Sequence, residues 1–185
     1  MALEKTDAAV KLLNRETLRK VIDVILTTPN GVQTMSTEIE GFVQTSSNIG
    51  IVETSRTGKI SVNKLLRSSV TEELSLLLQE MDAKATEAGA FASFGSMGGK
   101  PWQYKADSPL RDTLIAVYED IYGESPITIG SHGYVECGIF AEKMPDCEFI
   151  SVGPTIENAH SPDERMSLSS FNRTCIYLVR VLEAL

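Results

Sequence analysis

One stretch divides this chain and limits what it can fold into. Residues 95–107 are rich in glycine and polar side chains, and no helical or strand periodicity passes through them. The patterns on either side therefore have to form separate units, and the boundary is placed near residues 98–107. A length of 185 residues permits one domain or two small ones.

Before the break the pattern is helix, strands, helix. Residues 17–26 put Leu18, Val21, Ile22, Ile25 and Leu26 on one helical face, and Thr28-Pro29-Asn30-Gly31 ends it. Phe42-Val43, Ile49-Gly50-Ile51-Val52 and Ile60-Ser61-Val62 read as two or three antiparallel strands, with Arg56-Thr57-Gly58 as a hairpin connection. A second helix starts near Ser69, three residues before Glu72 in capping-box spacing, with Leu74, Leu77, Leu78, Met81 and Ala85 as its stripe and Gly89 as its stop. Residues 90–94 fit a returning strand.

After the break, Ser108-Pro109 is a helix cap and first helical residue, Leu110, Leu114, Val117, Tyr118 and Ile121 form the stripe, and Gly123 ends it. Residues 126–130 and 149–152 are short apolar runs suited to buried parallel strands, with a helix-length stretch at residues 135–143 between them, a βαβ unit in outline. A last helix over residues 169–184 carries Phe171, Cys175, Leu178, Val179 and Leu182 on one face. The fold class is α/β: an antiparallel sheet with packed helices, then a βαβ segment.

The net charge of −8 opposes binding to nucleic acid or anionic lipid. No apolar run is long enough to span a bilayer, and Met1-Ala2-Leu3-Glu4-Lys5-Thr6-Asp7 lacks the hydrophobic core of a secretory signal. Cys137, Cys147 and Cys175 are odd in number and lack Cys-x-x-Cys spacing, which fits reduced packing thiols in the cytoplasm. Gly98-Gly99-Lys100 has neither the spacing nor the hydroxyl of a phosphate loop.

Only two histidines are available for chemistry, His132 and His160, each just beyond an expected strand end, where open α/β sheets collect ligands. His160 lies in a polar loop, and spacing leaves it open between a solvated imidazole and a metal ligand. Glu136, four residues after His132, suits a helix N-terminus better than a catalytic base. Asp163 and Glu164 suit capping of the turn before the last helix better than sharing a cation with His160. Arg67 stands at a strand-to-helix junction, as a solvated cation or a bidentate clamp for a carboxylate.

Several separated segments together resemble the aminoacyl-histidine (cytosolic non-specific) dipeptidases, dinuclear-zinc exopeptidases akin to carboxypeptidase G and the carnosinases. They are residues 28–32, Thr45-Ser46-Ser47-Asn48-Ile49-Gly50, Leu66-Arg67-Ser68, Trp102-Gln103, Ser108-Pro109, His132 with Glu136-Cys137-Gly138, and Gly153-Pro154-Thr155 through His160-Ser161-Pro162-Asp163-Glu164. The resemblance implies that residues 1–100 are the second half of a substrate-covering lid and residues 104–185 the last segment of a catalytic domain. It implies that His160 is a zinc ligand, and that Asn48, Arg67, His132 and Glu136 contact substrate.

By the same resemblance two zinc ions and a dipeptide such as Xaa-His are the cofactor and substrate. The family's His-x-Asp motif, bridging aspartate and Glu-Glu pair have no counterpart here, so no catalytic residue is assigned and the chain alone is expected to be inactive. Where the family has Ala-Gly-Leu after the histidine, this chain has Gly133-Tyr134-Val135. A related exopeptidase or deacylase, and a non-catalytic binding or oligomerisation module, are the alternatives. Open sheet edges in the C-terminal segment are expected to be covered by the lid half or to pair with another chain as a homo-oligomer.

Overall fold

The computed structural model describes residues 13–95 and 100–185. Residues 1–7, Gly98-Gly99 and the start of the expected boundary lie outside that range. Helix α1 (Arg15–Thr27) starts where the Asn14 carboxamide accepts from the Thr17 N–H at 2.8 Å. Its far end is tied to the sheet by Lys64, whose ammonium donates to Pro29 O at 2.6 Å and Thr28 Oγ1 at 2.7 Å.

Strands β1 (Gly31–Met35), β2 (Val43–Thr54) and β3 (Ile60–Ser68) form an antiparallel sheet in that order, as the alternation predicts. The β2–β3 hairpin closes through Ser55 and Lys59, with Gly58 at φ +85, a left-handed conformation that glycine adopts without strain. The register sets Thr45 opposite Ser68, Ser46 opposite Arg67 and Asn48 opposite Leu65.

Helix α2 (Thr71–Glu87) packs on this sheet and buries Leu77, Met81 and Ala85, three positions of the expected stripe. It starts later than expected. The Ser69 N–H is still bonded to Gln44 O in the sheet, so Val70 is the cap and no side chain caps the helix. Residues 90–94 form no strand, and Phe91 is 74 % exposed.

Helix α3 (Pro109–Tyr122) begins and ends as predicted, with Ser108 accepting from the Arg111 N–H and Gly123 at φ +72. Helix α4 (Glu136–Lys143) follows, then the two-residue strands β4 (Ile156–Glu157) and β5 (Arg165–Met166), paired antiparallel, and α5 (Leu168–Ala184). α3 and α5 share a core of Leu114, Tyr177 and Val181, reinforced where the Tyr177 hydroxyl donates to Leu114 O at 2.8 Å.

Two expectations fail in this half. The order of the βαβ unit is kept as extended run, helix, extended run, but residues 126–130 and 149–152 pair with no strand among the described residues, and Ile127 is 91 % exposed. An apolar run becomes a strand only where a neighbour offers a ladder of donors and acceptors. On α5 the stripe of Phe171, Cys175, Leu178, Val179 and Leu182 faces outward, and Ser170, Tyr177 and Val181 are buried instead. This helix has two apolar faces, and periodicity does not say which of them α3 takes. Among the described residues no helix is long and apolar enough to cross a membrane.

Candidate functional site

Strand alternation divides the sheet's side chains between two faces. Thr45, Ser47 and Ser68 are buried, and Thr45 donates to the Glu73 carboxylate on α2, which marks their face as the helix-covered one. Ser46, Asn48 and Arg67 lie on the opposite face by register.

That face receives the segment between α3 and α4. His132 Nε2 lies 2.9 Å from the Ser46 hydroxyl, and the edge of its ring meets Phe42 at 84° with centroids 6.2 Å apart. Two residues on, the Tyr134 hydroxyl donates to the Leu66 carbonyl at 2.5 Å, which fastens the segment to β3 beside Arg67. The Gly133-Tyr134-Val135 departure therefore has a structural use: the tyrosine supplies a brace across the two halves.

Charge and burial act together here. Burial first, and then the neighbouring Arg67 guanidinium, hold the His132 imidazole below its ordinary pKa, so it favours the neutral form. Arg67 Nε is buried and has no hydrogen-bond partner among the described residues. A buried, unpaired guanidinium donor is costly, and an oxyanion is the group that satisfies it best.

Arg67 and His132 are thus brought together, and Asn48 stands one cross-strand pair along on the same face, exposed. Glu136 is the first residue of α4 and exposed, a favourable place for a carboxylate in the helix field. His160 lies elsewhere, exposed in the turn between β4 and β5, and no described hydrogen bond or ion pair joins it to the other four.

The His160 turn is unusual. Asn158 and His160 both have positive φ, 53° and 66°. Asparagine and histidine are among the residues that adopt this conformation most readily after glycine, and such positions cluster at functional turns. Glu164 holds the turn by accepting from the His160 N–H at 2.7 Å, while α5 is capped by Ser167 and not by Asp163 or Glu164. Among the described residues no three His, Cys, Asp or Glu side chains come together as a metal ion requires, so this chain's described residues do not fit a zinc centre by themselves.

Ser46, Phe42 and Tyr134 were not singled out from sequence. Ser46 was accessible, because strand alternation pairs it with Asn48 on one face. Tyr134 was not, because its partner is a backbone carbonyl 68 positions away. Gly138 likewise acquires a reason: a Cβ there would stand 2.1 Å from the Lys100 carbonyl oxygen, so only glycine lets α4 lie against that backbone. A cleft of about 2200 Å³, lined by residues such as Leu78, Phe94, Trp102 and Ile150, contains none of the five candidate residues in its wall.

A family model described as peptidase family M20/M25/M40 matches residues 4–184. The chain is 30% identical over 177 residues to the cytosol non-specific dipeptidase of Escherichia coli (strain K12), covering 95% of this chain and 35% of that protein. It superposes on aminoacylhistidine dipeptidase from Vibrio alginolyticus with a TM-score of 0.83 at 32% identity, covering 98% of this chain and 37% of that one. The aminopeptidase PepT from Bacillus cereus shares the fold, with a TM-score of 0.63 at 20% identity over 90% of this chain and 44% of that one. The chain thus spans a little over a third of the length of the two dipeptidases it matches.

Proposed function

The chain belongs to peptidase family M20/M25/M40, and from that premise we propose that it supplies the substrate clamp of a dipeptidase acting on dipeptides such as Xaa-His. In this reading residues 1–100 are the second half of a lid and residues 104–185 the last segment of a catalytic domain. Arg67 pairs with the peptide's terminal carboxylate, Asn48 donates to the oxyanion that develops on the scissile carbonyl, and His132 borders the carboxylate. Glu136 faces the free amino group. The observation that carries the reading is Arg67 Nε, buried without a partner among the described residues and close to an imidazole whose pKa is held below its ordinary value.

Zinc belongs to this reading only in part. His160 is the one side chain the resemblance offers as a ligand, and a zinc site takes at least three from protein. His160 would complete a centre whose other ligands lie outside the described residues. No step of bond cleavage follows from this chain's own side chains. A cytoplasmic setting is in keeping with three free cysteines.

A second reading is a peptide-binding module without catalysis, which Arg67 Nε, buried and unpartnered among the described residues, would serve equally. Both readings share the clamp, which nuclear magnetic resonance can test on the chain as it stands. Glycyl-leucine is expected to bind and glycyl-leucinamide to bind far more weakly. Arg67→Gln should lose affinity for the dipeptide by at least about tenfold, the worth of one charge-assisted hydrogen bond. Equal binding of dipeptide and amide would contradict the carboxylate role.

A further inference from the structure

Four observations converge on one side chain that neither the resemblance nor the comparisons assign. Ser46 is the direct cross-strand partner of Arg67. Its hydroxyl is 2.9 Å from His132 Nε2. The imidazole is held on its other sides as well, by the perpendicular contact with Phe42 and by the Tyr134 brace two residues along. Gly130 presses against Phe42 so closely that a Cβ would come within 3.1 Å of that ring.

A neutral imidazole has one nitrogen that donates and one that accepts, and the bond made by one nitrogen decides the state of the other. The unprotonated imidazole nitrogen is a stronger acceptor than a hydroxyl oxygen, which favours the hydroxyl as the donor in this pair. Nδ1 makes no hydrogen bond among the described residues, and the Arg67 guanidinium, whose Nε is also unpartnered there, is close enough to act on the charge of the ring.

We propose that Ser46 is a positioning residue of the clamp: by donating to His132 Nε2 it fixes the Nδ1–H tautomer and makes Nδ1–H a second donor, beside Arg67, for a peptide's terminal carboxylate. The recognition half of this proposal rests on the carboxylate reading above; the tautomer half does not. Ser46 touches no substrate in this scheme. It acts through the ring, much as outer groups orient the imidazoles they bond.

The chain has only two histidines, so His160→Gln leaves a single imidazole whose two nitrogen shifts can be read in a ¹⁵N-labelled sample at pH 8. The expected spectrum shows Nδ1 protonated and Nε2 bare. Ser46→Ala should move both shifts toward the Nε2–H form and weaken glycyl-leucine about tenfold, the loss of one hydrogen bond to a charged group. Ser46→Thr keeps the hydroxyl and should restore the shifts and the affinity.

An Nε2–H tautomer in the parent chain, or unchanged shifts in Ser46→Ala, would overturn the proposal. If Arg67→Gln loses the dipeptide but Ser46→Ala does not, the Ser46 role falls and the carboxylate reading stands. If the parent chain ignores glycyl-leucine while its tautomer responds to Ser46, the carboxylate reading falls and takes the recognition role with it.

Discussion

Residues 13–95 and residues 100–185 organise similar lengths of chain in different ways. In the first region a three-stranded sheet and α2 enclose side chains that are largely polar. Thr45 and Ser47 are each 2 % exposed and Ser68 is 1 % exposed. Thr45 and Ser68 are not orphans, because Thr45 bonds Ser68 and Glu73, and Glu73 also receives Thr34 and Gln44, while the Ser47 hydroxyl has no partner among the described residues. In the second region α5 gives one face to α3 and leaves the other in solvent, with Leu182 72 % and Val179 55 % exposed.

The difference teaches where each region's stability comes from. The sheet closes its own polar network, so its interior is specified from within. The helix pair has a small core and a second apolar face that only another surface can bury. The accessible area of 13872 Å² says the same of the molecule, since a compact monomer of its mass exposes about 8,800 Å². Under the proposed function that face docks against the rest of an enzyme or against a second copy.

The largest effect should come from the helix pair. Tyr177→Ala removes a ring that packs on Tyr118 and a hydroxyl bonded to Leu114 O. The loss expected is about 3–4 kcal/mol, measured by urea unfolding. Hydrogen exchange should show α3 and α5 losing protection while β2 and β3 keep theirs. Equal loss in the sheet would mean that the two regions do not stand independently.

Next comes the sheet's own network. Glu73→Leu strands the hydroxyls of Thr34 and Thr45 and the Gln44 amide, at a cost of about 2–3 kcal/mol. Burial pushes the Glu73 carboxyl up, but the hydrogen bonds from Thr34, Thr45 and Gln44 outweigh it and hold the pKa below the ordinary value. A depressed folded pKa means the unfolded chain binds the proton more readily. The contribution is therefore complete above about pH 4.3 and fades as pH falls through the lower, folded value. Glu73→Leu should flatten this acid limb. An unchanged limb would place the acid sensitivity elsewhere.

The smallest effect on folding sharpens the comparison most. Leu182→Gln and Val179→Gln on the outward face of α5 should change stability by no more than about 0.5 kcal/mol. Light scattering should nonetheless show less self-association than in the parent chain. A loss of several kcal/mol would show that this face is buried after all.

Much of this architecture was legible in the sequence, and the failures share a cause. The Ser108 cap, the Gly58 and Gly123 turns and the α2 stripe are local: each depends on residues within a turn or two. The choice of buried face on α5, the missing ladders at residues 126–130 and 149–152, and the Tyr134 brace depend on what lies opposite in space. Periodicity reports that a face is apolar, not what covers it. The candidate site divides similarly. Arg67 and His132 were nominated separately and the structure sets them side by side, whereas His160 stands apart in its turn.

Under the proposed function these residues clamp a dipeptide, and the described ones do not by themselves assemble the metal centre that cleaves it. The direct measurement is hydrolysis of an Xaa-His dipeptide by the chain as it stands, supplied with zinc, followed by release of free histidine. No zinc-dependent release above the protein-free rate is expected, because the described residues offer one candidate ligand and no group of three. Turnover at the rate of a complete dipeptidase, abolished by His160→Gln, would contradict it.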